Sequence, residues 1–195
     1  MRRRRRTEQA QAAIAAVAAG LVLGSLAIGA GQTAVNRDAK VMADFMTRVR
    51  EYSALQRKLA GTLPKVPDKA TPEQIDARQR NLGKLVIEAR RTAKKGDVFG
   101  PDIAALIRQR LAPVFKGAEG AKLRSAINEE PHPVVPAVNA RYPDEVPLST
   151  MPPDVLKVLP TLEDGLEFRF IGRHLILLDP AAHLIVDVVD NAMPG

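Results

Sequence analysis

The sequence predicts an α+β fold, with N-terminal amphipathic helices packed on a C-terminal three-stranded antiparallel β-meander and a proline-rich extended segment joining them. Three observations predict it. Apolar residues recur three or four apart between Val41 and Phe115, the period of a half-buried helix. They alternate with polar ones in short runs after Leu166, the period of a strand. Between these regions, residues 131–160 hold more than half of the chain's fifteen prolines, which forbids a long helix there. The reading divides the chain into residues 1–31, a signal peptide or signal anchor; 32–130, a basic helical region; 131–165, a proline-rich connection with a short helix; and 166–195, the meander. Residues 32–195 are expected to form one folded unit.

The first segment, MRRRRRTEQAQAAIAAVAAGLVLGSLAIGAGQ, has the plan of a secretory signal. Arg2 to Arg6 precede an uncharged run from Ala12 to Gly31. Cleavage after Gly29 places Ala27 at the −3 position, and cleavage after Ala30 places Ile28 there. Two readings stand. If the run is not cleaved, its twenty residues at ~1.5 Å each just reach across ~30 Å of hydrocarbon. Its seven strongly apolar residues give about −2 to −4 kcal/mol for insertion. On either reading the arginines stay inside and residues 32–195 end outside the cytoplasm, periplasmic or secreted, or held on the inner membrane by the anchor. Membrane contact is expected only through residues 12–31, and only if they are uncleaved.

The first helix follows from Val41, Phe45, Val49, Tyr52, Leu55 and Leu59, one stripe that ends near Gly61 and Pro64. A second opens at KATPEQID, where Thr71 caps, Pro72 takes the first helical position and Gln74 completes a capping box. Ile75, Leu82, Leu85, Val86 and Ala89 form its inward stripe. The third runs from Pro101 with Ile103, Leu106, Ile107, Leu111 and Phe115 inward. The fourth covers Gly120 to Glu129 with Leu123 and Ile127 inward. A short fifth helix, Pro153 to Leu159, has Ser149 or Thr150 as its cap.

In LEFRFIGRHLILLDPAAHLIVDVV, Gly172-Arg173 is a two-residue hairpin turn, which pairs Phe170 with Leu175 and Phe168 with Leu177. A second turn at 179–182 pairs Leu177 with Leu184, Leu175 with Val186 and His174 with Asp187. One face is then wholly apolar: Phe168, Phe170, Leu175, Leu177, Leu184, Val186 and Val188. The other is mixed and half-wet, and on it Arg169, Ile171, His174, Ile176, Ile185 and Asp187 are the candidate partner-binding face. His174 and His183 fall at opposite ends of their hairpin, on the order of 13 Å apart, too far to share a metal ion or a proton relay.

Composition and charge narrow the function classes. The chain has no cysteine, so disulfides, thiol catalysis and thiolate metal sites are excluded. The net charge of +7 is a sum of unlike parts: residues 31–130 hold twenty basic against twelve acidic residues, and residues 131–195 hold four against nine. The basic residues are spread over several helices, alternate with acids and lack interleaved aromatics, so no nucleic-acid partner is expected. No HExxH, GxSxG, P-loop, dinucleotide glycine pattern or EF-hand loop is present. No catalytic, cofactor-binding or metal-ligating residue is assigned, and no cofactor.

The stretches NARYPDEVPLSTMPP and GLEFRFIGRHLILLDPAAHLIVDVV resemble an uncharacterised family of bacterial exported proteins. The similarity covers most of the chain after the signal. It implies export and a shared fold, and it supplies no site residues. The expectation is a non-catalytic binding or structural protein of the cell envelope, with an envelope protein or an anionic envelope component as its partner. The alternative is a periplasmic hydrolase without a recognisable motif.

Overall fold

A computed structural model describes residues 25–127, 134–144, 150–162 and 165–194, with side chains from residue 35 onward. The arginine cluster, the apolar run as far as residue 24, His132 and Ser149 lie outside the described residues. The chain divides into two compact units, residues 1–40 and 41–195. In the first, the described residues belong to helix α1 (Ser25–Ala60), and Val35 is exposed. No helix among the described residues is long and apolar enough to cross a membrane.

The second unit is α+β. From Val41 on, α1 buries Phe45, Val49 and Tyr52, the spacing of one helical face. Helix α2 (Pro72–Ala89) begins with the capping box its sequence predicts: Gln74 N donates to Thr71 Oγ1 at 3.4 Å, and Thr71 N donates to Gln74 Oε1 at 2.9 Å. Its buried face starts only at Leu82, so Ile75, expected inward, is 52% exposed. At Gly83 the helix comes so close to the sheet that an added Cβ would lie 3.1 Å from the Ala182 carbonyl oxygen.

Helix α3 (Gly100–Val114) buries Ile103, Leu106, Ile107 and Leu111. Helix α4 (Gly117–Ile127) starts three residues earlier than the sequence suggests and sets Gly120 against the Phe115 backbone, where no side chain fits. Helix α5 (Pro153–Leu156) is shorter than expected. Pro152 occupies its N-cap position with no side-chain hydrogen bond, so Thr150 is not the cap.

Strands β1 (Glu167–Ile171), β2 (His174–Asp179) and β3 (Leu184–Val189) form an antiparallel sheet in the order β1-β2-β3. The first hairpin has the predicted register, with Phe170 opposite Leu175 and Phe168 opposite Leu177. The second does not. Its turn is residues 180–183, closed by His183 at φ 53°, and Asp179 pairs with Leu184. Leu178 then pairs with Ile185 but Leu177 pairs with Asp187, so Val186 is an additional residue in β3. This β-bulge reverses the alternation of the strand beyond it. Val189 joins the helical core and Val188 the opposite face, the reverse of the simple pattern.

Both faces of the sheet are buried. The helices cover Phe168, Leu175, Leu177, Leu184 and Val186. On the other side Ile171, Ile176, Leu178, Ile185 and Val188 gather around Tyr142. Tyr142 arrives on the proline-rich segment, which runs along the free edge of β3: Asn139 N donates to Ile185 O, Ile185 N to Ala140 O and Tyr142 N to His183 O, each at 2.9 Å. The prolines exclude a helix, and the few free amides pair with the strand edge instead, which closes an edge otherwise open to self-association. Each large apolar side chain in this second cluster contributes about 1.5–3 kcal/mol by its burial.

Candidate functional site

The six residues of the predicted partner face do not share an exposed surface. Ile171, Ile176 and Ile185 are 1%, 0% and 1% exposed, inside the cluster around Tyr142. The expectation of a half-wet face fails because the strap from Asn139 to Tyr142 covers it. Asp187 lies on the opposite, helical face, turned there by the bulge and fully buried. Only Arg169 and His174 keep partial access to solvent, and both have carboxylate partners, Glu167 and Asp190.

The buried polar residues work as clasps between the helices and the sheet. Asp187 Oδ2 accepts from Val98 N and Phe99 N, both at 2.8 Å, and Oδ1 accepts from Gly96 N at 2.9 Å and Val188 N at 2.8 Å. The carboxylate thus fills the turn that leads into α3, whose amides have no other partner in the helix. Asp179 Oδ2 accepts the Tyr52 hydroxyl at 2.7 Å, and Oδ1 accepts Ala182 N at 3.0 Å. Burial first, then the neighbouring Asp179 charge, push the Tyr52 phenol far above its ordinary range.

A third clasp closes the end of α2. The Arg90 guanidinium lies 5.0 Å over the Tyr52 ring. Its Nη1 donates to Asn139 Oδ1 at 3.0 Å and its Nη2 to Val186 O, at the bulge, at 3.1 Å. Asn139 Nδ2 returns a bond to Arg90 O at 2.8 Å, from a left-handed backbone at φ 61°. Burial lowers the Arg90 pKa, while the Asp187 and Asp97 carboxylates oppose that shift.

The two histidines have separate partners, in keeping with their expected separation along the hairpin. His174 Nδ1 is 3.0 Å from Asp190 Oδ1, and Lys95 Nζ is 2.7 Å from Asp190 Oδ2. The predicted pairing of His174 with Asp187 is replaced by Asp190 because the turn falls one residue later, which shifts the register by two, and the bulge adds one more. His183 Nε2 lies 3.3 Å from Asp144 Oδ1 in a geometry that is not a hydrogen bond, and its ring meets Tyr142 edge-on. Among the described residues no three His, Asp or Glu side chains gather as a metal site would require.

Among the described residues, one cleft open to a ligand, of about 300 Å³, lies between α1, the end of α2 and the turn before α3. Tyr52 and Val98 are its buried floor, and Arg48 and Arg90 enter half-buried. Arg48 Nη1 rests over Gly100, a glycine at φ +63°, and makes one long bond of 3.5 Å to Val98 O. In the sequence Tyr52 reads as part of the core stripe and Arg90 falls just past the inward stripe of α2, so the cleft was missed. A tyrosine in an apolar stripe was the available signal, because its hydroxyl must find a partner when buried.

No family model matches this chain, and neither the curated proteins nor the solved structures contain a match to it.

Proposed function

We propose that the chain is an exported, non-catalytic binding or structural protein of the bacterial cell envelope. One observation carries the non-catalytic part. The interior carboxylates Asp179 and Asp187 have both oxygens engaged, by Tyr52 and by backbone amides that fix turns. A general base needs a lone pair free to reach a substrate proton, and these are committed to holding α1, α3 and the sheet together. The hydrolase alternative would have to release one of them or use a carboxylate nearer the surface.

Export rests on the arginine cluster and the apolar run that follows it, and the resemblance to exported proteins points the same way. The partner in this reading is an envelope protein or an anionic envelope component. The test is fractionation of bacteria expressing the full chain with a C-terminal tag, with mass spectrometry of its N-terminus. A periplasmic protein starting near Ala30 or Gly31, or a membrane-held one with an intact N-terminus and a protease-accessible body, agrees with the proposal. Retention in the cytoplasm overturns it. Affinity capture from the same envelope then identifies the partner.

A further inference from the structure

We infer that the cleft between Arg48 and Arg90 is a binding site for a small zwitterion of dipeptide size, its carboxylate held by the guanidinium groups and its ammonium by Glu51 or Asp97. The inference stands on the cleft alone and does not depend on export.

The charges of the cleft are the first argument. Arg48 has no ion pair among the described residues, and its one hydrogen bond, to Val98 O, is at the long limit of 3.5 Å. The Arg90 side chain spends its hydrogen bonds on neutral acceptors, Asn139 Oδ1 and Val186 O. Two half-buried guanidinium groups on one cleft, neither in a salt bridge among the described residues although Asp187 and Asp97 act on Arg90 at longer range, attract an anionic group, and guanidinium geometry suits a carboxylate.

The rim is the second argument. Glu51 and Asp97 also line the cleft and are exposed. Asp97 Oδ2 accepts Lys94 N at 2.8 Å, which fixes the carboxylate in place. Two positive and two negative groups make the cleft neutral as a whole. A dianion such as phosphate gains on the arginines and loses on the acids. A molecule with one carboxylate and one ammonium gains on both.

Size and polarity are the third. About 300 Å³ is at the small end of ligand pockets, room for a dipeptide but not for a folded segment. The apolar wall includes Leu55, Ala93 and Val98, which suits short aliphatic side chains.

The test is calorimetric titration of the full-length protein with L-alanyl-L-alanine, with its N-acetylated form and with inorganic phosphate. We expect saturable binding of the dipeptide, and a loss of about tenfold or more in affinity in Arg48→Gln and on N-acetylation. Arg48→Gln removes the guanidinium charge but keeps a polar, unbranched side chain, and its unfolding midpoint in urea checks that it folds. Should it not fold, Glu51→Gln replaces it, since Glu51 is exposed, and there the loss is expected for the dipeptide and not for its N-acetylated form. No saturable heat up to about 10 mM dipeptide, ten times a ~1 mM Kd, overturns the inference. So does an affinity unchanged in the folded variant, or phosphate binding more tightly than the dipeptide.

Discussion

The Asp187 carboxylate accepts the backbone N–H of Phe99 at 2.8 Å, across 88 residues of chain, because a single additional residue in β3 turns it toward the helices. Without the bulge at Val186, Asp187 would stand on the other face beside Ile176 and Ile185, and the turn before α3 would have no acceptor. The irregularity in the sheet and the placement of α3 are therefore one feature. Asp187→Asn keeps the shape but presents an NH2 group to amide donors. It is expected to lower the unfolding free energy by on the order of 3 kcal/mol, measured by urea denaturation followed by circular dichroism. A loss below about 1 kcal/mol, the size of an ordinary surface change, would show that the clasp does not hold α3.

Asn139 combines an unfavourable backbone with two side-chain bonds to Arg90, and two substitutions separate these effects. Asn139→Gly keeps the left-handed conformation available but removes both bonds, at a cost of about 1–3 kcal/mol. Asn139→Ala removes the bonds and also meets the left-handed penalty, about 1–2 kcal/mol more. Chemical denaturation of both variants gives the difference directly. Equal stabilities would mean that the strap changes its backbone in the alanine variant and is not held at φ 61° by its surroundings.

The helical half was legible in the sequence because its signals are local. Thr71, Pro72 and Gln74 specify a helix start within four residues, and Phe45, Val49 and Tyr52 specify a face within two turns. The first hairpin was legible for the same reason, since Gly172 supplies the positive φ that its turn uses. The second hairpin was not. Its turn ends at His183, a residue that gives no advance sign of a left-handed conformation, and nothing in LIVDVV marks Val186 as additional. A one-residue error there exchanges the faces of Asp187, Val188 and Val189, which takes Asp187 out of the predicted binding face. The strap over the second face is a non-local contact made by a segment whose prolines say only what it is not. The cleft was hidden for a related reason: Arg48, Tyr52 and Arg90 are separated in the text and meet only once α1 and α2 pack.

The two tyrosines, Tyr52 and Tyr142, are both held above the ordinary phenol range, chiefly by burial. A phenol whose folded pKa is raised adds stability that is fully present below its unfolded pKa of about 10 and is lost as pH rises through the folded value. At about pH 10.5, where a free tyrosine is mostly ionised, the native protein is therefore expected to show less phenolate absorbance than its two tyrosines give when unfolded. Both should appear together when urea unfolds it at that pH. Tyr52→Phe should flatten the alkaline fall in stability while lowering stability at neutral pH, because Asp179 loses its hydroxyl donor. Phenolate forming with a midpoint near the ordinary value, while the circular dichroism stays native, would contradict the Tyr52–Asp179 clasp.

Asp190 gives the acid side of the pH dependence. The Lys95 ammonium, 2.7 Å away, lowers its pKa most; burial opposes that shift, and the His174 contact adds to the lowering. A carboxyl with a depressed folded pKa adds stability that is present above its unfolded value, about 3.9, and is lost as pH falls through the folded one. The Asp190 side chain is 38% exposed, so solvent screening limits the effect to at most about 1 kcal/mol. Asp190→Asn should thus cost far less than Asp187→Asn at neutral pH, although the two residues are three apart. The difference between wild type and Asp190→Asn should shrink below about pH 4, where the unfolded carboxyl takes up its proton, and be lost once pH falls through the lower folded value. Lys95→Met should show the same pH dependence, because it removes the partner that lowers the pKa most. Urea unfolding of the three proteins between about pH 3 and pH 7 measures this, and a constant difference across that range would remove Asp190 from the acid response.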